Sequence, residues 1–276
     1  MRAVILLSAI LFAIRISAGT VADIEYARVG DLSLKLDLHR PADVEKPKLI
    51  VYVHGGAWRA GSRADVPVKG LVAHGFAIAS VDYRLSTQAR FPGQIQNIKT
   101  AIRFLRTKAV EMRLDARRIA IIGSSAGGHL AALTGVTTDH PALEGNLGDH
   151  LSQSSRVDDI VSFYGASNLR SILDQNTEFG MGVRIPALKL LLGGLADQQS
   201  LLAKLARPVA HLDAKDPPPP LLHGDADPQM PLAQSEEFHR EYETSKLTSK
   251  LVIIPDAKHG GPDFTKNSVS SSFPTS

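Results

Sequence analysis

Ile119-Ala120-Ile121-Ile122-Gly123-Ser124-Ser125-Ala126-Gly127-Gly128-His129-Leu130-Ala131 is the stretch that decides the fold. Its first half is an apolar run of strand length. Its second half is a run of small residues that fits a buried helix. Between them lies Gly-x-Ser-x-Gly, with Ser125 at the centre. A strand that turns at once into a helix strains its corner residue and lifts that side chain clear of the sheet. Glycines two before and two after avoid a Cβ collision with the facing backbone. The N–H groups at the helix start then face whatever Ser125 attacks. The competing reading is a plain Gly/Ser turn. The flanking strand and helix favour a nucleophile.

Working outward, the segments on both sides alternate between strand and helix patterns. Leu32, Leu34, Leu36 and Leu38 share one face of a half-exposed antiparallel strand. Gly30-Asp31 is a turn signal before it, so Ile24–Val29 is expected to pair with it as a hairpin. Leu49–Val53 and Phe76–Val81 are continuous apolar runs, as expected for strands buried on both faces. Gln94–Met112 carries Ile95, Ile98, Ala101, Ile102, Leu105 and Ala109 at helical spacing. After Ser125, strands are expected at Val157–Tyr164, Leu221–His223 and Lys250–Ile254, with a helix over Gln234–Tyr242. The pattern predicts one α/β domain, residues 23–276, built on a mostly parallel sheet with helices on both faces. Residues 166–208 hold only weak helical patterns, around Ile185–Leu192 and Ser200–Leu205. They fall at the carboxyl edge of the sheet, where ligands bind in such folds, and form a lid candidate. The tail, residues 262–276, is polar and Ser-rich, with no apolar period.

Composition narrows the class. The chain is 43% hydrophobic and 21% charged, which excludes a disordered or collagen-like chain. The absence of cysteine excludes disulfides, thiolate zinc sites and cysteine nucleophiles. Arg2 followed by the apolar run Ala3–Ile14 reads as a signal peptide over residues 1–22, with small residues at Ser17-Ala18-Gly19 and Thr20-Val21-Ala22. A secreted or periplasmic protein with no stable membrane anchor after cleavage is the expectation. An uncleaved anchor or a first helix of the domain is the alternative. Of the net charge of +3, Arg2 and Arg15 supply two, so nothing in the balance supports a nucleic-acid partner. The ten histidines show no His-Glu-x-x-His spacing, and no metal or cofactor motif is found.

A serine hydroxyl needs a base within hydrogen-bond reach, and the base needs a carboxylate to orient it. Two later strands end in suitable residues: His223-Gly224-Asp225-Ala226-Asp227-Pro228, and Pro255-Asp256-Ala257-Lys258-His259-Gly260-Gly261. Parallel strands bring these ends to one edge. His259 is the better base, because it follows its strand among glycines. His223 belongs to its own strand end and reads as structural, as do His54 and His129. Spacing leaves Asp225 and Asp227 both open as the acid, though Asp225 is placed to hold a turn. Asp256 and Asp263 are too close in sequence to reach His259 comfortably. His54-Gly55-Gly56 ends a buried strand, so the N–H groups of Gly55, Gly56 and Ala126 are candidate oxyanion donors. Trp58, the only tryptophan, either lines the acyl pocket or packs beneath it.

Together, His54-Gly55-Gly56-Ala57-Trp58, Gly123-Ser124-Ser125-Ala126-Gly127-Gly128, His223 to Pro228 and His259-Gly260-Gly261 resemble the α/β-hydrolase fold. More narrowly, they resemble the esterase/lipase group related to hormone-sensitive lipase, and within it the secreted acetyl-xylan and feruloyl-type carbohydrate esterases. The resemblance covers residues 25–262. It implies Ser125 as nucleophile, His259 as base, Asp227 as acid, and Gly55, Gly56 and Ala126 as the oxyanion hole. Ser124 stands where the group usually has Asp, which suits the carbohydrate-esterase branch. The helix that normally follows the catalytic histidine has no counterpart in the sequence pattern, so the loop of His259 is expected to lack its usual support.

The reading that follows is a serine carboxylic-ester hydrolase that acts on short-chain or carbohydrate-linked acyl esters through an acyl-enzyme. An amidase or peptidase of the arylformamidase-like or prolyl-oligopeptidase-like kind would use the same groups. A non-catalytic binding protein of this fold would need a broken triad, and here every position is filled.

Overall fold

The computed structural model of the chain describes residues 19–266. β1 (Gly19–Val29) and β2 (Leu32–Arg40) form the expected hairpin. They are followed by β3 (Lys48–Val53), β4 (Ala77–Val81), β5 (Asp115–Ser124), β6 (Asp159–Phe163), β7 (Pro220–Gly224) and β8 (Lys250–Ile254). These strands form one sheet in the order β1-β2-β4-β3-β5-β6-β7-β8. β2 pairs antiparallel with β1 and β4, and every pairing from β4 to β8 is parallel. The carboxyl ends of β3 and β5 to β8 therefore open on one edge. This is the mostly parallel α/β sheet with an antiparallel rim that the apolar pattern predicts.

β1 begins earlier than Ile24. Gly19, Thr20 and Val21 pair with Arg40, His39 and Leu38, and Thr20 Oγ1 lies 2.7 Å from His39 Nδ1. The rest of the expected signal segment, residues 1–18, lies outside the described residues.

The helices are α1 (Gly93–Lys108), α2 (Ala126–Gly135), α3 (Pro141–Glu144), α4 (Glu178–Leu192), α5 (Ser200–Leu205), α6 (Ala233–Thr244) and α7 (Asp263–Lys266). Strand side chains alternate between two cores, as a period of two requires. Leu49, Val51 and Val53 face the core shared with α1, α2, α4 and α6, while Ile50 and Tyr52 face the other. Leu49 to Val53 are at most 1% exposed. Each large apolar side chain buried contributes ~1.5–3 kcal/mol, so β3 is a firm base for the loop that leaves it. The second face is covered more thinly, by Val68 and Leu71 of a 3-10 turn (Pro67–His74) and by Phe264 of α7. That 3-10 turn escaped the sequence pattern because it is bounded by Pro67 and Gly75 and carries only two buried apolar residues.

The insertion at 166–208 is helical and packed. Ala187, Leu188, Leu191 and Leu192 of α4 are buried in the same core as α2. α4 begins at Glu178, well before Ile185, through a stretch with two glycines that argue against a helix. Thr177 overrides them: its Oγ1 caps the helix by accepting the Gly180 N–H at 3.0 Å and donates to the Pro228 carbonyl at 2.8 Å. The tail also differs from its sequence pattern. Asp263–Lys266 makes one helical turn, and residues 267–276 lie outside the described residues.

The turn between β5 and α2 leaves no room for side chains. A Cβ on Gly123 would lie 2.0 Å from the Gly127 carbonyl oxygen, and one on Gly127 would lie 2.0 Å from that of Val53. Gly127→Ala must push β3 and α2 apart. Overpacking of this kind costs ~1–3 kcal/mol or more, and a chain of this size loses ~2–4 °C for each kcal/mol. Calorimetry of Gly127→Ala should show Tm lower by roughly 4–10 °C. An unchanged Tm would contradict this contact.

Candidate active site

Ser125 sits at the corner with φ +55° and ψ −117°. A non-glycine residue in that region costs roughly 1–3 kcal/mol. The corner is held from both sides. The Ser125 N–H donates to the Phe163 carbonyl at 2.9 Å, and its own carbonyl accepts the His129 N–H at 3.0 Å.

Three loops converge on this hydroxyl. His259 follows β8, and its Nε2 lies 2.9 Å from Ser125 Oγ. Its Nδ1 lies 2.6 Å from Oδ2 of Asp227, which follows β7. With the proton on Nδ1, the ring donates to Asp227 and accepts from the serine. The second carboxylate oxygen of Asp227 accepts the N–H groups of Gln229 (2.8 Å) and Met230 (2.9 Å). Burial alone would push this carboxyl up. Hydrogen bonds from His223 and His259, the charge of His259 and the Met230 amide together hold it well below the usual carboxylate range. His259 is the closer of the two histidines, because His223 Nε2 lies 3.5 Å from Oδ2 but 2.9 Å from the Met230 carbonyl.

Spacing left two acids open, and geometry separates them. Asp225 Oδ1 accepts the Asp256 N–H at 2.7 Å, clamping the loops after β7 and β8 together. Asp227 alone of the two meets His259. The other histidines hold structure. His223 is fully buried between Ser235 Oγ and the Met230 carbonyl. His54 stacks on Tyr83 with ring centroids 4.4 Å apart. His129 accepts from Trp58 Nε1 at 3.1 Å and donates from Nε2 to the Ala206 carbonyl at 2.6 Å. Trp58 is fully buried, so it packs beneath the site.

The loop after β3 meets Ser125 through bare backbone. A Cβ on Gly55 would lie 2.9 Å from the Ser124 carbonyl oxygen and 3.4 Å from Ser125 Cβ. Gly56 has φ +99°, and a Cβ there would lie 2.1 Å from the Ala60 carbonyl oxygen. Among the described residues, no backbone carbonyl engages the N–H of Gly55, Gly56 or Ala126.

Ser125, His259, Gly55 and Gly56 open on a cavity of about 510 Å³. Its walls include residues that motif reading did not find: Tyr52, Arg59, Tyr164, Val183 and Arg184. Tyr52 OH donates to Ser124 Oγ at 3.1 Å, so the serine in place of the usual acid completes a neutral hydroxyl pair. Tyr164 directly follows β6 with φ +40°. Its ring lies 4.7 Å from that of His259 and 4.8 Å from that of buried Phe264. The single turn of the tail thus supports the His259 loop through Tyr164. The strand-end position that pointed to His259 and to Asp225 or Asp227 is shared by Tyr164. Arg184 had a weaker signal, a lone charge between Val183 and Ile185. Among the described residues, no group of three or more His, Asp and Glu is placed to hold a metal ion.

Residues 36–242 match the BD-FAE family, three quarters of the chain. The chain belongs to the BD-FAE family. Among curated relatives, Esterase LipC of Mycobacterium tuberculosis is 30% identical over 82% of this chain and 56% of its own length. The chain spans a little over half the length of the curated relatives it matches. Among solved structures, a truncated carbohydrate esterase from gut microbiota superposes with TM-score 0.82 at 28% identity, covering 91% of this chain and 92% of that one. A bifunctional GH43-CE protein of Bacteroides eggerthii gives TM-score 0.82 at 34% identity, over 93% of this chain and 35% of that one. The fold of this BD-FAE chain is that of the α/β-hydrolase esterases.

His129 gives the site a pH dependence. Burial lowers its pKa from 6.5 to about 4, against a smaller opposing effect of the Ala206 carbonyl. Neutral His129 therefore contributes stability in full above pH 6.5. That contribution is lost as pH falls toward 4, where a proton on Nδ1 would face the indole N–H of Trp58. Thermal melts should show the advantage of wild type over His129→Gln shrinking from pH 7 to pH 4. An advantage that stays constant across this range would refute the linkage.

Proposed function

We propose that the chain is a serine carboxylic-ester hydrolase that works through an acyl-enzyme on short-chain or carbohydrate-linked acyl esters. The observation that carries the proposal is the unbroken line of hydrogen bonds from Ser125 through His259 to Asp227, set beside unengaged backbone amides at the cavity. The esterase and carbohydrate-esterase relatives give independent support.

In this reading, Ser125 Oγ attacks the ester carbonyl while His259 Nε2 takes its proton. Asp227 keeps the ring in the required tautomer and stabilises the imidazolium that forms. The oxyanion takes N–H donors from Gly55, Gly56 and Ala126, each worth roughly 3 kcal/mol at the transition state. The tetrahedral species collapses, and His259 returns its proton to the departing alcohol. Water then attacks the acyl carbon while His259 takes its proton, and His259 returns that proton to Ser125 Oγ as the bond to the acyl group breaks and the acid leaves. The N-terminal apolar segment would direct export, placing the enzyme where acylated polymers and their fragments are found.

Ser125→Ala should cut hydrolysis of 4-nitrophenyl acetate by about 10⁴-fold or more while the protein stays folded. A fluorophosphonate probe should label wild type and not this variant. Full activity in Ser125→Ala would end the acyl-enzyme reading. Folded wild type that resists labelling would instead favour a binding protein of the same fold.

A further inference from the structure

One part of the cavity wall carries positive charge without a bonded counter-charge. Arg184, on α4, is 1% exposed and lines the cavity that holds Ser125. Its Nε makes one long bond to the Gln229 carbonyl at 3.3 Å, and its guanidinium carbon lies 5.9 Å from the Trp58 ring. Its buried Nη1 has no hydrogen-bond partner. Among the described residues, no carboxylate lies within ion-pair distance of Arg184, although every other strongly buried cation is paired or bonded to several carbonyls. Burial lowers its pKa to about 10, against the opposing charge of Asp227, which acts without a direct hydrogen bond, so it is charged at neutral pH. Arg59 is a second cation of the same cavity and also forms no ion pair among the described residues. The one carboxylate on the lining is that of Asp65, on an exposed residue.

A buried guanidinium with no hydrogen-bonded anion is costly, and a ligand that supplies one removes that cost. Arg suits this role, because its planar fork matches a carboxylate with two parallel hydrogen bonds. We propose that Arg184, assisted by Arg59, selects esters that carry a carboxylate next to the scissile bond. This deepens the esterase reading and rests on it. The carboxylate could sit on the acyl side, as in a dicarboxylic half-ester. It could equally sit on the alcohol side, as in an acylated hydroxy acid or an acylated acidic sugar. The shared chemistry is an anion within reach of the guanidinium while the ester carbonyl lies at Ser125.

Two matched pairs distinguish the sources: monomethyl succinate against methyl butyrate, and 4-acetoxybenzoate against its methyl ester, the latter pair followed by acetate release. Wild type should favour the anionic member of at least one pair in kcat/KM by about tenfold, the scale of one hydrogen bond to a charged group. Arg184→Met should erase that preference, Arg184→Lys should keep part of it, and Arg59→Gln should reduce it. Raising the salt concentration should weaken it further. If Arg184→Met does not fold, Arg59→Gln and the salt series decide. A preference that is absent in wild type, or equal in wild type, Arg184→Met and Arg59→Gln, overturns the proposal. Calorimetry with Ser125→Ala separates this from the catalytic reading. If wild type cleaves no ester yet Ser125→Ala binds monomethyl succinate through Arg184, the esterase reading fails and the anion site stands. If neutral esters are cleaved and the anion is not bound, only the anion site fails.

Discussion

The structure depends on how closely α2 can approach β3. The carbonyl of Val53 occupies the space where any side chain at residue 127 would begin, and the carbonyl of Gly127 does the same for residue 123. Only backbone fits between these elements. That closeness turns the chain from β5 into α2 without a loop and forces Ser125 into its positive φ. The strain is held by two backbone hydrogen bonds and by a core that buries Leu49–Val53 of β3 and residues 121–124 at the end of β5. The site is therefore built on the stiffest part of the sheet, and the remaining loops need only to reach it.

They reach it because the strands are parallel. β7 and β8 run in register with β6, so residues far apart in sequence end at the same height. Within that rim, each group is fixed by a second interaction. Asp227 is tied by two amides, the β7 and β8 loops are joined by Asp225 and Asp256, and His259 leans on Tyr164. Tyr164 in turn is backed by Phe264, a deeply buried side chain of the short tail turn.

Much of this was legible in the sequence because it rests on local rules. Gly123, Ser125 and Gly127 mark a turn that only glycine permits. Alternation in Leu32 to Leu38 and continuous apolar runs in Leu49–Val53 and Ile119–Ile122 announce their strands. The motifs named all three members of the Ser125–His259–Asp227 chain, although spacing alone could not separate Asp225 from Asp227. That choice depends on which carboxylate the turn consumes, which is a contact across two loops. The unread parts share this cause. The start of α4 is set by Thr177 acting on Gly180 against the local propensity, and the walls of the cavity come from side chains that meet only after folding. Tyr52, Tyr164 and Arg184 carry no motif of their own.

The bond between His129 and the Ala206 carbonyl has a wider consequence. His129 belongs to the helix that begins beside Ser125, and Ala206 closes the insertion between β6 and β7. One imidazole thus staples the insertion to the corner that carries Ser125, and Trp58 extends the staple to the glycine loop. Such an insertion is exchangeable in principle as a cassette. A replacement would have to offer a carbonyl at the same point and fill the core space that Ala187, Leu188, Leu191 and Leu192 occupy, and the rim around Ser125 would not have to move.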